Sequence, residues 1–228
     1  MSTSPTFQTN YHYTDRETKA RYVWFKYKSI LRGRILDVGA DACYLKQYLD
    51  ENTEYWGIGL AGHPDQRVDL EKEKIPFPDD EFDCVLCLDV LEHLDNIHEV
   101  FDELCRVTRR YVIISLPNAY ADFYHMLCFG NYRPNRPMKF YGLPFEKPED
   151  RHKWVFSYEE AEKFVLYRAA KHGIRVLQVD IHGMGGEGRG WKRFLRTLAR
   201  TILLRSDLNL KNLYAVTLWA VLGKENHG

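Results

Sequence analysis

The sequence predicts a single α/β domain: a mostly parallel sheet with helices on both faces. Three observations lead there. A chain of 228 residues suits one large domain better than two independent cores. Short continuous apolar runs alternate with segments of helical spacing, as in strands buried on both faces and joined by crossovers. The first such run, "RILDVGADACYL" (34–45), leads through an acid-x-glycine turn toward a short helix. In open α/β sheets that carboxyl edge is where ligands bind.

Each element can be justified in order. Residues 1–13 are polar and irregular, an arm. Residues 14–33 predict a helix, with Thr14 as cap, Glu17 at capping-box spacing, Val23, Tyr27 and Ile30 near helical spacing, and Gly33 as the stop. "RILDVGA" is a buried strand and "CYLKQYLDE" a short helix; "YWGIGL" and the very short "RVDLE" are strands two and three. "FDCVLCLDV" is strand four, "NIHEVFDELCRVT" a helix, and "YVIISLPN" strand five, so 34–118 forms one half of the domain. Residues 119–155 break the rhythm: they are aromatic, punctuated by proline and too long for a plain connection, which predicts an inserted lid or substrate loop. The second half, 156–224, has a helix capped by Ser157 and Glu160 and stopped by Gly173, then strand six "IRVLQVDIHG". A glycine hinge, a basic amphipathic helix at 191–205 and a last strand, "LYAVTLWAVLGK", complete it.

Composition removes several functions. Lys and Arg number 32, as do Asp and Glu, so no net field recruits nucleic acid. The N-terminus lacks the basic start and apolar run of a secretory signal, and no apolar run is long enough to span a bilayer. The expected location is cytoplasmic. Peripheral contact with an anionic membrane is open to the helix at 191–205, where five cations flank an apolar stripe. Cys84 and Cys87 form a C-x-x-C, but on a strand they point to opposite faces. With no second pair at ligand spacing, buried reduced thiols and no metal centre are expected.

Candidate chemistry gathers in three places. Gly39 permits close approach of a ligand to the backbone after strand one. His93, His125, His152 and Asp150 are candidate bases, a histidine being suited to take a hydroxyl proton near neutral pH. "PEDRHKW" (148–154) puts Arg151, His152 and Trp154 in one loop able to grip a polar substrate, and Asn118 ends strand five at the sheet's carboxyl edge.

The blocks "YWGIGL", "VDLE", "PFPDDEFDCVLCLDVLEHL" and "RRYVIISLPN", in that order after "RILDVGA", resemble the class I S-adenosylmethionine-dependent methyltransferases. Within that family the run resembles in particular the small bacterial members that look like sugar- and polysaccharide-modifying enzymes. The resemblance is good over 34–118 and follows only the general order beyond. It implies a Rossmann-like seven-stranded sheet with an antiparallel last strand, and S-adenosyl-L-methionine as cofactor. It implies that Asp37 and Gly39, with Ala40 beside them, line the cofactor's methionine end, and that Asp69 takes the adenine amino group with Leu70 alongside. Leu88, Asp89 and Val90 would wall the sulfonium. Two departures stand out: Asp41 and Cys43 replace two later glycines, and Gly59, followed by Leu60, replaces the acid that holds the ribose hydroxyls. In compensation, Asp41 would add a polar cofactor contact, and Asp65, a few residues past strand two, would reach the ribose. The expected activity is O-methylation of a sugar, polysaccharide precursor or other small polar acceptor, with His93 and His152 as bases and Asn118, His125, Arg151 and Trp154 at the acceptor. The competing reading is a relative that kept the fold as a binding or scaffold protein and lost the cofactor. The oligomeric state is left open.

Overall fold

The computed structural model describes residues 6–129, 140–184 and 209–224. Helix α1 (Arg16–Tyr27) leads into β1 (Arg34–Val38), β2 (Glu54–Gly59), β3 (Gln66–Arg67) and β4 (Phe82–Leu88). Then follow α2 (Ile97–Val107), β5 (Thr108–Pro117), α3 (Ala119–Phe129), α4 (Tyr158–Lys171), β6 (Arg175–Met184), a short helix Leu210–Tyr214, and β7 (Ala215–Gly223). The sheet order is β3-β2-β1-β4-β5-β7-β6. Every pair is parallel except those of β7, which runs antiparallel to both β5 and β6. The seven-stranded sheet with its reversed last strand is as the sequence predicts.

Because successive side chains of a strand point to opposite faces, each central strand feeds two cores. Leu36, Val85, Cys87, Val112, Ile114 and Leu218 pack with α2 and α4 on one face. Ile35, Cys84, Leu86, Ile113 and Trp219 pack with α1 on the other. Cys84 and Cys87 are free, buried and on opposite faces.

Local chemistry shifts several boundaries from their expected places. The cap of α1 is Asp15: its carboxylate accepts from Thr18 N at 2.8 Å, and Thr18 Oγ1 accepts from Asp15 N at 3.1 Å. A carboxylate is the better N-cap, so Asp15 displaces Thr14 and Glu17 by one position. After β1 there is only a single 3₁₀ turn, Tyr44–Tyr48. Its N-cap Cys43 makes no side-chain cap bond, and Asp50 pulls the chain out by accepting from Asn52 N and Thr53 Oγ1. The third strand stops at Arg67 because Asp69 folds the chain into a turn, its carbonyl accepting from Lys72 N and Glu73 N. Ser157 and Glu160 do cap α4, and Gly173 at φ +63° follows its end.

The expected insertion at 119–155 is helical at its start, where α3 runs Ala119–Phe129. Its end docks on the 3₁₀ turn that follows β4: Lys153 N and Trp154 N both donate to the Glu92 carbonyl, at 2.8 and 3.2 Å. The basic stretch 191–205 lies outside the described residues, as does most of the hinge before it. Among the described residues no helix is long and apolar enough to cross a membrane.

Candidate functional site

At the carboxyl ends of β1, β2 and β4 lies a cavity of about 690 Å³, closed on one side by α1 and on the other by the 140–154 segment. It is large enough for a nucleotide-sized ligand and a small second one.

Its first wall is the turn after β1. Asp37 is 8 % exposed, and its Oδ2 accepts from the Tyr55 hydroxyl at 2.8 Å. Burial pushes the Asp37 carboxyl up to about 6, against the lowering effects of the Tyr55 bond and of Lys19. Gly39 sits at φ +82°, and a Cβ there would come 2.2 Å from Val90 Cγ2, so the turns after β1 and β4 meet only because this residue is glycine. Asp41 and Cys43 also hold left-handed backbone, at φ +51° and +54°. The two positions that replace glycines therefore keep a conformation glycine adopts freely. The first two amides after β1 are not offered to a ligand, however. Gly39 N and Ala40 N both donate to Ile58 O, at 2.8 and 3.1 Å.

The second wall is the β2–β3 turn and the segment after it. Gly59, Leu60, Asp69 and Leu70 line the cavity. Asp69 is partly engaged, with Lys72 Nζ at 2.7 Å and Glu71 N at 3.1 Å. Its hydrogen bond from Lys72 holds the carboxyl below the usual range. Asp65 is absent from the lining; its carboxylate accepts from Gly57 N and Lys46 Nζ instead. Asp41 does face the cavity, with its carboxylate paired to Arg16 and set against Gly62, in the turn that follows β2.

The floor is the turn after β4, where Leu88, Asp89 and Val90 stand. Asp89 is held at φ +54°, strained for a non-glycine residue. It accepts from Lys19 Nζ and from Ser115 Oγ. Burial pushes its carboxyl up, but Lys19 and Ser115 outweigh that and hold it below the usual range.

At the far end Glu92, His93 and His152 meet. Glu92 is 0 % exposed, and neither carboxylate oxygen has a hydrogen-bond partner among the described residues. Burial, then the Asp89 charge, drive its carboxyl well above the usual range. His93 Nδ1 lies 2.7 Å from Asp150 Oδ1, and His152 Nδ1 lies 2.7 Å from the Tyr141 hydroxyl. Both rings turn Nε2 toward Glu92 Oε1, at 3.8 and 3.9 Å. Burial first, and His93 second, push His152 down to about 4.

Apart from Asp65, the residues expected at the cofactor line this one cavity, and so do His93 and His152. The four expected at the acceptor do not. Asn118 is buried and spent on structure: its Nδ2 donates to the carbonyls of Lys211, Asn212 and Ala215, and its Oδ1 accepts from Tyr120 N, at the start of α3. Trp154 donates Nε1–H to Leu94 O, and Arg151 donates to Gly142 O. His125 is exposed on α3. Sequence reasoning missed Glu92 and Lys19. The adjacent pair Glu92–His93 was a signal for the first; nothing in the pattern of α1 marked the second.

A glycine-pinned turn, a buried acid and a cavity at the carboxyl edge define an α/β protein that binds a nucleotide-like cofactor. The sequence matches the methyltransferase domain family over residues 12–165. The chain belongs to that family, whose methyl donor is S-adenosylmethionine. No curated protein matches the sequence. An S-adenosylmethionine-dependent methyltransferase from Archaeoglobus fulgidus shares the fold at TM-score 0.59 and 16 % identity, covering 92 % of this chain and 95 % of that one. The magnesium protoporphyrin IX methyltransferase of Synechocystis, solved with S-adenosylhomocysteine, aligns at TM-score 0.52 and 12 % identity, over 92 % and 83 %. The [4+2]-cyclase SpnF aligns equally well, at TM-score 0.52 and 13 % identity, over 91 % and 80 %. Fold likeness of this degree therefore leaves the chemistry to the site.

Proposed function

We propose that this chain transfers a methyl group from S-adenosylmethionine to an oxygen of a small polar acceptor, a sugar or polysaccharide precursor being the class favoured. One observation carries the reading: a single cavity joins the Asp37–Gly39 turn to the Glu92–His93–His152 cluster. The cavity fits the cofactor by its donor set. Asp37 offers a buried carboxylate to the ammonium of the methionine end, and Val68, Leu70 and Val90 give apolar walls. Asp41, set against the turn after β2, takes the ribose role that Gly59 cannot fill.

When bound, S-adenosylmethionine supplies a methyl already activated by its sulfonium charge. What remains for the chain is to hold the acceptor oxygen in line and give its proton somewhere to go. Asp89, fixed by Lys19 and Ser115, keeps a negative charge beside the sulfonium position. The cluster at the far end faces the acceptor hydroxyl. The scaffold reading has less support, because Asp41 and Cys43 keep left-handed backbone where the family has glycine. A cytoplasmic location and a hold on anionic membrane through 191–205 belong to this proposal on sequence grounds alone.

The test is methyl-labelled S-adenosylmethionine incubated with the protein and a panel of sugar and polyol acceptors. Label should appear in acid-stable O-methyl products, and His93→Asn and His152→Asn should lower kcat by at least about tenfold, the low end of acid–base effects being larger still. Label found only on nitrogen acceptors or macromolecules would sink the O-methyl reading.

A further inference from the structure

We propose that Glu92, His93 and His152 form a binding site for a divalent first-row transition cation at the acceptor end of the cavity. The three side chains each bring one ligand atom, and those atoms all lie within 4.8 Å of one another. Ligand atoms at ordinary bond lengths around a tetrahedral ion sit roughly 3.4 Å apart. The separations from Glu92 Oε1 to the two Nε2 atoms, 3.8 and 3.9 Å, are wider than that, so a bound ion would draw the three side chains together.

Two further features point to a ligand. Glu92 is fully buried and lines the cavity, yet neither oxygen has a hydrogen-bond partner among the described residues. An orphaned buried carboxyl costs free energy whether charged or neutral, and a cation would relieve it. The second feature is the outer shell. A metal-binding histidine almost always gives its other ring nitrogen to a carboxylate or similar group, which fixes the ring and its tautomer. Asp150 does this for His93, and the Tyr141 hydroxyl does it for His152. An accepting Asp150 carboxylate puts the His93 proton on Nδ1, leaving the Nε2 lone pair toward Glu92. Asp89 and Asp150 add negative charge nearby.

Two imidazoles and one carboxylate leave coordination positions open, and this donor set suits ions such as Zn²⁺, Fe²⁺ or Co²⁺. The expectation of no metal centre rested on the cysteine spacing and on the lack of a histidine near the cysteines in sequence. It could not reach His152, which the fold brings beside His93 only because the 153–154 amides bind the Glu92 carbonyl. On the methyl-transfer reading, which this last step requires, an open position would take the acceptor hydroxyl and the cation would ease loss of its proton to water, His93 and His152 then serving as ligands in place of bases.

The experiment uses Zn²⁺ in calorimetry and Co²⁺ in visible spectroscopy on the metal-stripped full chain. One equivalent of Zn²⁺ should bind, and Co²⁺ should give d–d bands that Zn²⁺ abolishes. Glu92→Gln and His152→Asn should each weaken Zn²⁺ by at least about 100-fold. Asp150→Asn and Tyr141→Phe should each weaken it about 10- to 100-fold, the usual outer-shell effect. Circular dichroism and the melting midpoint report that each variant is folded. No saturable Zn²⁺ binding by the wild type, or binding untouched by both Glu92→Gln and His152→Asn, overturns the site. Wild-type titration with S-adenosylhomocysteine separates the two readings. If it binds and Zn²⁺ does not, only the cation site fails; if Zn²⁺ binds and it does not, methyl transfer fails.

Discussion

Lowering the pH from 7 to 5 should weaken S-adenosylhomocysteine binding about tenfold, and Asp37 should be the cause. Burial holds its carboxyl at about 6 in the empty protein. The homocysteine ammonium pairs only with the ionised form, which makes up roughly a tenth of the molecules at pH 5, a loss of about 1.4 kcal/mol. The same shift fixes the stability of the empty protein. An acid whose folded pKa lies above its unfolded value keeps a proton that the unfolded chain has lost, between about pH 4 and pH 6. Stability therefore falls as pH rises through that window, by up to about 3 kcal/mol, and is flat above it. Asp37→Asn removes both effects: the empty protein melts higher at pH 7, while S-adenosylhomocysteine binds more weakly and without the pH slope. Calorimetry at pH 5, 6 and 7, in buffers of different protonation enthalpy, reads the affinity and the proton released on binding. A constant Kd from pH 5 to 7, or a slope that survives in Asp37→Asn, would refute the assignment.

Three other outcomes are expected. Gly39→Ala, at φ +82° and with its methyl 2.2 Å from Val90 Cγ2, should cost at least about 1–2 kcal/mol of stability and most of the affinity for S-adenosylhomocysteine, read by thermal melts with and without ligand. Asn118→Ala should destabilise the chain by about 1–3 kcal/mol while leaving the acceptor KM unchanged, since its amide serves backbone carbonyls and the start of α3. His182, stacked on Tyr13, is pushed down to about 4 mainly by burial. A base depressed in the folded state leaves the unfolded chain with the extra proton, so stability should drop as pH falls from about 6.5 toward 4. In an Asp37→Asn background, which lessens the opposing slope, His182→Gln should reduce that drop in urea titrations, the remainder coming from His152.

Most of the fold was legible because its signals are local. Continuous apolar runs marked the central strands, and the Ser157–Glu160 spacing marked the start of α4. Strand alternation sent Cys84 and Cys87 to opposite cores. The misreadings came where two local signals competed, as at Thr14 and Asp15, or where a polar side chain redirected the backbone, as Asp50 does after the 3₁₀ turn. The residues that the family resemblance assigns to the cofactor come together for a different reason: they follow one another along the edge of three strands. The acceptor end was not legible. Asn118 looked free at a strand terminus, yet its partners at 211–215 are nearly a hundred residues away in sequence. Glu92 stood beside the candidate His93, but its burial without a partner is a property of the fold alone.

The structure of the complex with S-adenosylhomocysteine tests the central claim most directly. The account predicts the homocysteine end at Asp37–Gly39, the adenine beside Asp69–Leu70, and the sulfur facing the cavity between Asp89 and the Glu92–His93–His152 cluster. A ligand bound outside this cavity, or seated in it with the sulfur turned away from that cluster, would contradict it.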